Sequence, residues 1–87
     1  SYALDRATAM LSFWRRDDAA DPAVFLTGVV AVLSRYPREV IERVTDPATG
    51  LPSRLKWLPS IAEIREACDA EMAPIWAAMA RMSGTGR

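Results

Sequence analysis

An 87-residue chain that is 51% hydrophobic and 25% charged, with eleven basic and eleven acidic residues, has the makeup of one small globular domain with a thin core. A formal net charge of zero excludes generic capture of nucleic acid or an anionic membrane by a long-range positive field, and the absence of histidine removes the commonest general base and metal ligand. The single cysteine, Cys68, excludes an internal disulfide, and no run has the length and apolarity of a membrane span or secretory signal, so a cytoplasmic location is expected.

Leu4, Ala7, Leu11 and Trp14 recur at spacings of three and four, which predicts a first helix with that stripe turned to the core. After the connection Arg15–Ala20, Asp21 and Pro22 supply an N-cap and a proline at the first helical position, where its missing N–H is harmless. This second helix carries Phe25, Val29, Val32, Leu33 and Tyr36 on one face, with Gly28 beside them as a point of close approach for another helix. Pro37 ends it and opens a short third helix, with Val40, Ile41 and Val44 inward and Glu39 and Arg43 placed for an outward ion pair. Asp46-Pro47-Ala48-Thr49-Gly50 matches a type I turn, and an irregular connection is expected from there to Pro59.

The sharpest local signal is Lys56-Trp57-Leu58-Pro59-Ser60-Ile61-Ala62-Glu63-Ile64. Pro59 holds Leu58 extended, the Ser60 hydroxyl caps the next turn, and Glu63 at the third helical position completes a capping box. The helix that follows carries Ile61, Ile64, Cys68, Met72, Ile75, Met79 and Met82 along one stripe, and Pro74 is expected to kink or split it near Ala73. No period-two alternation suggests a sheet. The expectation is an all-α domain over residues 1–82, a bundle of four helices with the last kinked or split, followed by a flexible tail over 83–87.

No catalytic residue, metal site or cofactor is expected. Cys68 lies among apolar helical neighbours as an inert buried thiol, Glu63, Glu66, Asp69 and Glu71 read as solvated helix surface, and no glycine-rich loop has phosphate-binding spacing. Two surfaces stand out. Residues 31–60 hold Arg35, Arg38, Arg43, Arg54 and Lys56 against three acids, a local excess of two positive charges. Arg38, Arg43, Arg54 and Lys56 around Trp57 would form a partner-binding groove, the alternative being a mixed-charge surface over a core tryptophan. Any contact with nucleic acid would be confined to this local patch. The second and third helices also have helix-turn-helix order, but Arg38, Glu39, Glu42 and Arg43 are a balanced set unlike a base-reading face. The second surface is the ridge Met72, Ile75, Trp76 and Met79, continued by Met82, which either closes the domain's own core or forms a dimer face.

Tyr36-Pro37 with Val40, and the run Trp57-Leu58-Pro59-Ser60-Ile61-Ala62-Glu63-Ile64, resemble the pattern of phage helicase loader-inhibitor proteins and related phage replication proteins. In that pattern a tyrosine-proline opens one helix and a proline-Ser/Thr-Ile/Pro-Ala-Glu-Ile run opens the next; Tyr36, Trp57 and Pro59 carry the match, which covers about a third of the chain. The resemblance implies a small helical, non-enzymatic adaptor, encoded by a phage or prophage, that contacts a hexameric replicative helicase or an origin-bound initiator. The alternative is a structural or regulatory homodimer assembled through the C-terminal helix, with no role on nucleic acid.

Overall fold

The capping box forms as the sequence predicts: Ser60 Oγ accepts from the Glu63 amide at 3.1 Å, and Glu63 Oε1 accepts from the Ser60 amide at 2.9 Å. It starts the longest of five helices in a computed structural model that describes residues 1–15 and 19–84. These are α1 (Tyr2–Leu11), α2 (Pro22–Leu33), α3 (Arg38–Thr45), α4 (Leu51–Arg54) and α5 (Ile61–Gly84). Among the described residues there is no strand, so the chain is all-α. Capping chemistry sets the other starts. Ser1 Oγ accepts from the Leu4 amide, Asp21 Oδ1 accepts from the Val24 amide ahead of Pro22, and Pro37 stands at the N-cap position of α3.

The fifth helix, α4, lies where an irregular connection was expected. Asp46 Oδ1 accepts from the Ala48 and Thr49 amides, and the Gly50 amide donates to the Asp46 carbonyl at 2.8 Å, so the turn closes over five residues instead of the four of a type I turn. The chain leaves Gly50 extended and makes one helical turn, with Pro52 near its start and the Leu55 amide bonded to the Leu51 carbonyl at 2.9 Å. A Cβ on Gly50 would run into the carbonyl of Val44, so this turn can lie against the end of α3 only because residue 50 has no side chain.

The core is built from Ala3, Ala7 and Met10 of α1, Val29 and Leu33 of α2, Val40, Ile41 and Val44 of α3, Leu51 of α4, and Ile64, Cys68 and Met72 of α5, with Trp14 between α1 and α2. α5 packs on α2 and α3, and α1 packs on the same two helices. The expected α1 stripe is shifted by a residue. Leu4 is exposed, Leu11 is half-buried, and Ala3, Ala7 and Met10 face inward. The reason is that α1 ends at Leu11 and the chain then turns through Phe13 N–H to Met10 carbonyl and Trp14 N–H to Leu11 carbonyl bonds, so Trp14 enters the core from the turn and not from a helical stripe. Gly28 does mark a close approach: a Cβ there would come within 3.2 Å of Ile61 Cδ1.

α5 is continuous through Pro74, so of the two expected outcomes, a kink or a split, the split does not occur. Pro74 cannot bond the Ala70 carbonyl, but Ala70, Ala73 and Pro74 are all exposed, so water can take up the carbonyl and no packed neighbour is displaced. Ser83 and Gly84, expected in a tail, belong to α5; residues 85–87, like residues 16–18 of the first connection, lie outside the described residues. At 24 residues α5 is about 36 Å long, whereas its buried positions stop at Met72. Ile75 is the last residue of α5 packed against the core, and Trp76, Met79 and Met82 beyond it are exposed, within overall dimensions of 54 × 23 × 19 Å. Gly50→Ala should lower stability by about 3 kcal/mol or more, since backbone must shift to admit one methyl group; urea unfolding of the two proteins measures the difference.

Candidate docking site

The connection between α4 and α5 divides its side chains between the core and the surface. Leu55 and Leu58 are half-buried against the core and Pro59 is fully buried, while Lys56 and Trp57 point outward, Trp57 being 66% exposed. The segment is tied down from the other side of the molecule: Trp14 Nε1 donates to the Leu55 carbonyl at 3.0 Å. The buried tryptophan thus supports the exposed one. Lys56 Nζ lies 5.6 Å from the centroid of the Trp57 ring, within cation–π range.

Leu58, the chain neighbour of Trp57, lines two open depressions that also share Phe25 and Ala19. One, of about 330 Å³, runs along Leu11, Pro22 and Leu26; the other, of about 650 Å³, runs along Val24, Gly28, Pro59 and Ile61 with Asp21 and Glu63 at its edge. Both are mainly apolar, and nothing in the sequence pattern marked them, because Leu58 and its neighbours are about thirty residues or more from Phe25 and the rest of their walls.

The basic residues named from the sequence are held by separate contacts. Arg43 Nε sits 2.7 Å from Glu71 Oε1 and Arg54 Nη2 sits 3.8 Å from Glu71 Oε2, so one largely buried carboxylate draws α3 and α4 onto α5. The expected Glu39–Arg43 pair gives way to this contact, because Glu71 offers Arg43 a partner that is partly shielded from water. Arg54 also donates to the Thr49 carbonyl at 2.8 Å, and Arg38 is engaged elsewhere, its guanidinium 4.4 Å above the Tyr2 ring. Lys56 stays with Trp57. Of the ridge on α5, Met72 belongs to the core and Ile75 is half-buried, whereas Trp76 and Met79 are 50% and 58% exposed.

The remaining reactive groups are held quiet. Burial, with the charges of Asp69 and Glu71 behind it, pushes the Cys68 thiol up from 9.0 to about 12. Tyr36 donates to Asp69 Oδ1 at 2.6 Å, and that bond, followed by burial and the Asp69 charge, raises its hydroxyl from 10.0 to about 12. Asp69 and Glu71, expected as solvated surface, are therefore tertiary partners. Among the described residues no group of three or more His, Cys, Asp or Glu side chains could hold a metal ion, and no helix is long and apolar enough to cross a membrane. No family model matches the chain, and neither a curated protein nor a solved structure matches it.

The two tryptophans at this site should respond oppositely to truncation. Trp14→Ala removes a buried ring and its hydrogen bond to Leu55 and should cost about 3–5 kcal/mol, while Trp57→Ala should stay within about 0.5 kcal/mol of the parent in chemical unfolding. A second expectation concerns alkaline pH. Both Cys68 and Tyr36 lose their protons less readily folded than unfolded, so their contribution is complete below about pH 9 and is lost as pH rises towards 12. Thermal melts across that interval should show a falling midpoint, and Tyr36→Phe combined with Cys68→Ala should flatten the fall.

Proposed function

We propose that this chain is a non-enzymatic protein-interaction module that docks a protein partner through Trp57 and Lys56, in the manner of a phage or prophage replication adaptor. The observation that carries the reading is the exposed indole on a restrained connection. Tryptophan on a surface loses little conformational entropy on binding when its backbone is already held, and aromatic anchors of this kind dominate interface energetics. Here the restraint comes from buried Pro59, half-buried Leu55 and Leu58, and the Trp14–Leu55 hydrogen bond.

The arginines are held by other contacts and keep positive charge on the surface. Arg43 and Arg54 keep 61% and 52% of their side-chain surface exposed while paired with Glu71, so an acidic partner face can share them without breaking the clamp that orders α3, α4 and α5. Arg38, stacked on Tyr2, offers a further positive group. With zero net charge, a protein is a better match than a nucleic acid as primary partner. The motif around Tyr36 and Trp57-Leu58-Pro59 directs the choice of partner towards a hexameric replicative helicase or an origin-bound initiator.

Titration of the purified chain against each of these two proteins, followed by calorimetry, should give a micromolar Kd for one of them. Trp57→Ala should weaken it by about 30-fold or more, equivalent to about 2 kcal/mol. Binding that Trp57→Ala leaves unchanged would move the docking face elsewhere, and failure of both partners to bind near 100 μM would remove the replication role.

A further inference from the structure

We infer that the partner enters the larger depression beside Trp57 with a segment in which a lysine or arginine flanks apolar side chains. The inference deepens the docking reading and rests on it for the existence of a protein partner, but not on Trp57 as the anchor. The depression, of about 650 Å³, has Val24, Phe25, Leu58 and Ile61 on its walls, and Val24 is 66% exposed. Among the described residues that line it, Asp21 and Glu63 are the only charged ones. Asp21 Oδ1 accepts from the Val24 amide at 3.2 Å and Glu63 Oε1 from the Ser60 amide at 2.9 Å, which leaves Asp21 Oδ2 and Glu63 Oε2 without a donor among the described residues. The ion pairs among those residues join Arg43 and Arg54 to Glu71 and Arg65 to Asp69, while Lys56 lies over the Trp57 ring, so no described cation pairs with either carboxylate. Each helix N-terminus offsets about half a unit of charge, and the edge therefore keeps about one net negative charge.

Charge and polarity together define the occupant. Apolar side chains match the walls, and a cation among them answers the two carboxylates at the edge. Neither feature suffices alone, because an exposed ion pair contributes little without accompanying burial and an apolar ligand leaves the edge charge unmet. A small molecule buries most of its surface in the pocket that holds it, which an open depression does not provide. A protein segment needs no such enclosure, since the rest of its own chain is held elsewhere on the interface. Trp57 follows this logic: it precedes Leu58 of the wall directly in the chain and is 66% exposed, so anchor and depression can serve one interface. The same edge disfavours nucleic acid, whose phosphates would meet two carboxylates. An acidic segment is rejected for the same reason, so the edge supplies discrimination between partners more than raw affinity.

Mapping of amide shifts by NMR on the full chain tests this with three blocked decapeptides of leucine and alanine that carry two lysines, two glutamines or two glutamates. The lysine peptide should bind in the submillimolar range and move the signals of Val24, Gly28 and Ile61, and the glutamate peptide should bind at least about tenfold more weakly. Asp21→Asn and Glu63→Gln keep the acceptors of both caps while removing the charges, so each should preserve the thermal melt and reduce the lysine preference by about three- to fivefold. Equal binding of the three peptides overturns the inference, as does a lysine preference that the double variant retains in full or a set of shifts that lies away from the depression. Absence of binding by the lysine peptide at about 5 mM overturns it too. Should either variant fold poorly, the three peptides on the unaltered chain decide. Trp57→Ala separates this inference from the anchor: a lysine preference that maps to the depression and survives Trp57→Ala supports it even where the anchor role fails.

Discussion

A helix of 24 residues cannot be buried along its length by neighbours of 8 to 12 residues, and this mismatch organises the molecule. The first half of α5 is a core element on which α2 and α3 converge, and several of the domain's contacts meet there: the Ile64–Cys68–Met72 stripe, the close contact of Ile61 with Gly28, and the Glu71 carboxylate between Arg43 and Arg54. In the second half only Ile75 packs on the core, while Trp76 and Met79 are exposed. One continuous element is thus structural at one end and a surface at the other, and Pro74 sits at the changeover on the solvent side, where its missing hydrogen bond does least harm.

The same economy governs the connection before α5. A small domain has few ways to hold an irregular segment rigid, and this one uses a buried proline, two half-buried leucines and one indole N–H bonded to a backbone carbonyl. The outcome is that Lys56 and Trp57 are presented outward by a segment whose other side chains are committed inward. Rigid presentation of an aromatic side chain is what separates an anchor from a residue that is merely exposed.

Charged residues in this chain serve folding before they serve any partner. Glu71 and Asp69 each receive a donor from another element, Arg43 or Arg54 in one case and Tyr36 in the other, and Arg6 bridges α1 to the end of α3 through the Thr45 hydroxyl at 3.0 Å and the Glu42 carbonyl at 3.2 Å. Pairs of this kind contribute modestly to stability when exposed, but they select how short helices with interchangeable apolar faces are arranged around one another.

Helix starts were legible because they depend on neighbours within four residues: Asp21-Pro22, Pro37 and the Ser60–Glu63 box each act locally, and each is found where the sequence places it. The inward face of α3 and the close approach at Gly28 were legible for the same reason, through spacing and side-chain size. Tertiary packing alone decided the rest. The rotation of α1, the single turn of α4 against the end of α3, the transfer of Arg43 from Glu39 to Glu71, and the burial of Trp14 with exposure of Trp57 all depend on contacts across 28 or more residues or on backbone meeting backbone. Hydrophobicity and spacing are the same for an indole that fills a core as for one that leaves it, so only the arrangement of neighbours could tell Trp14 from Trp57.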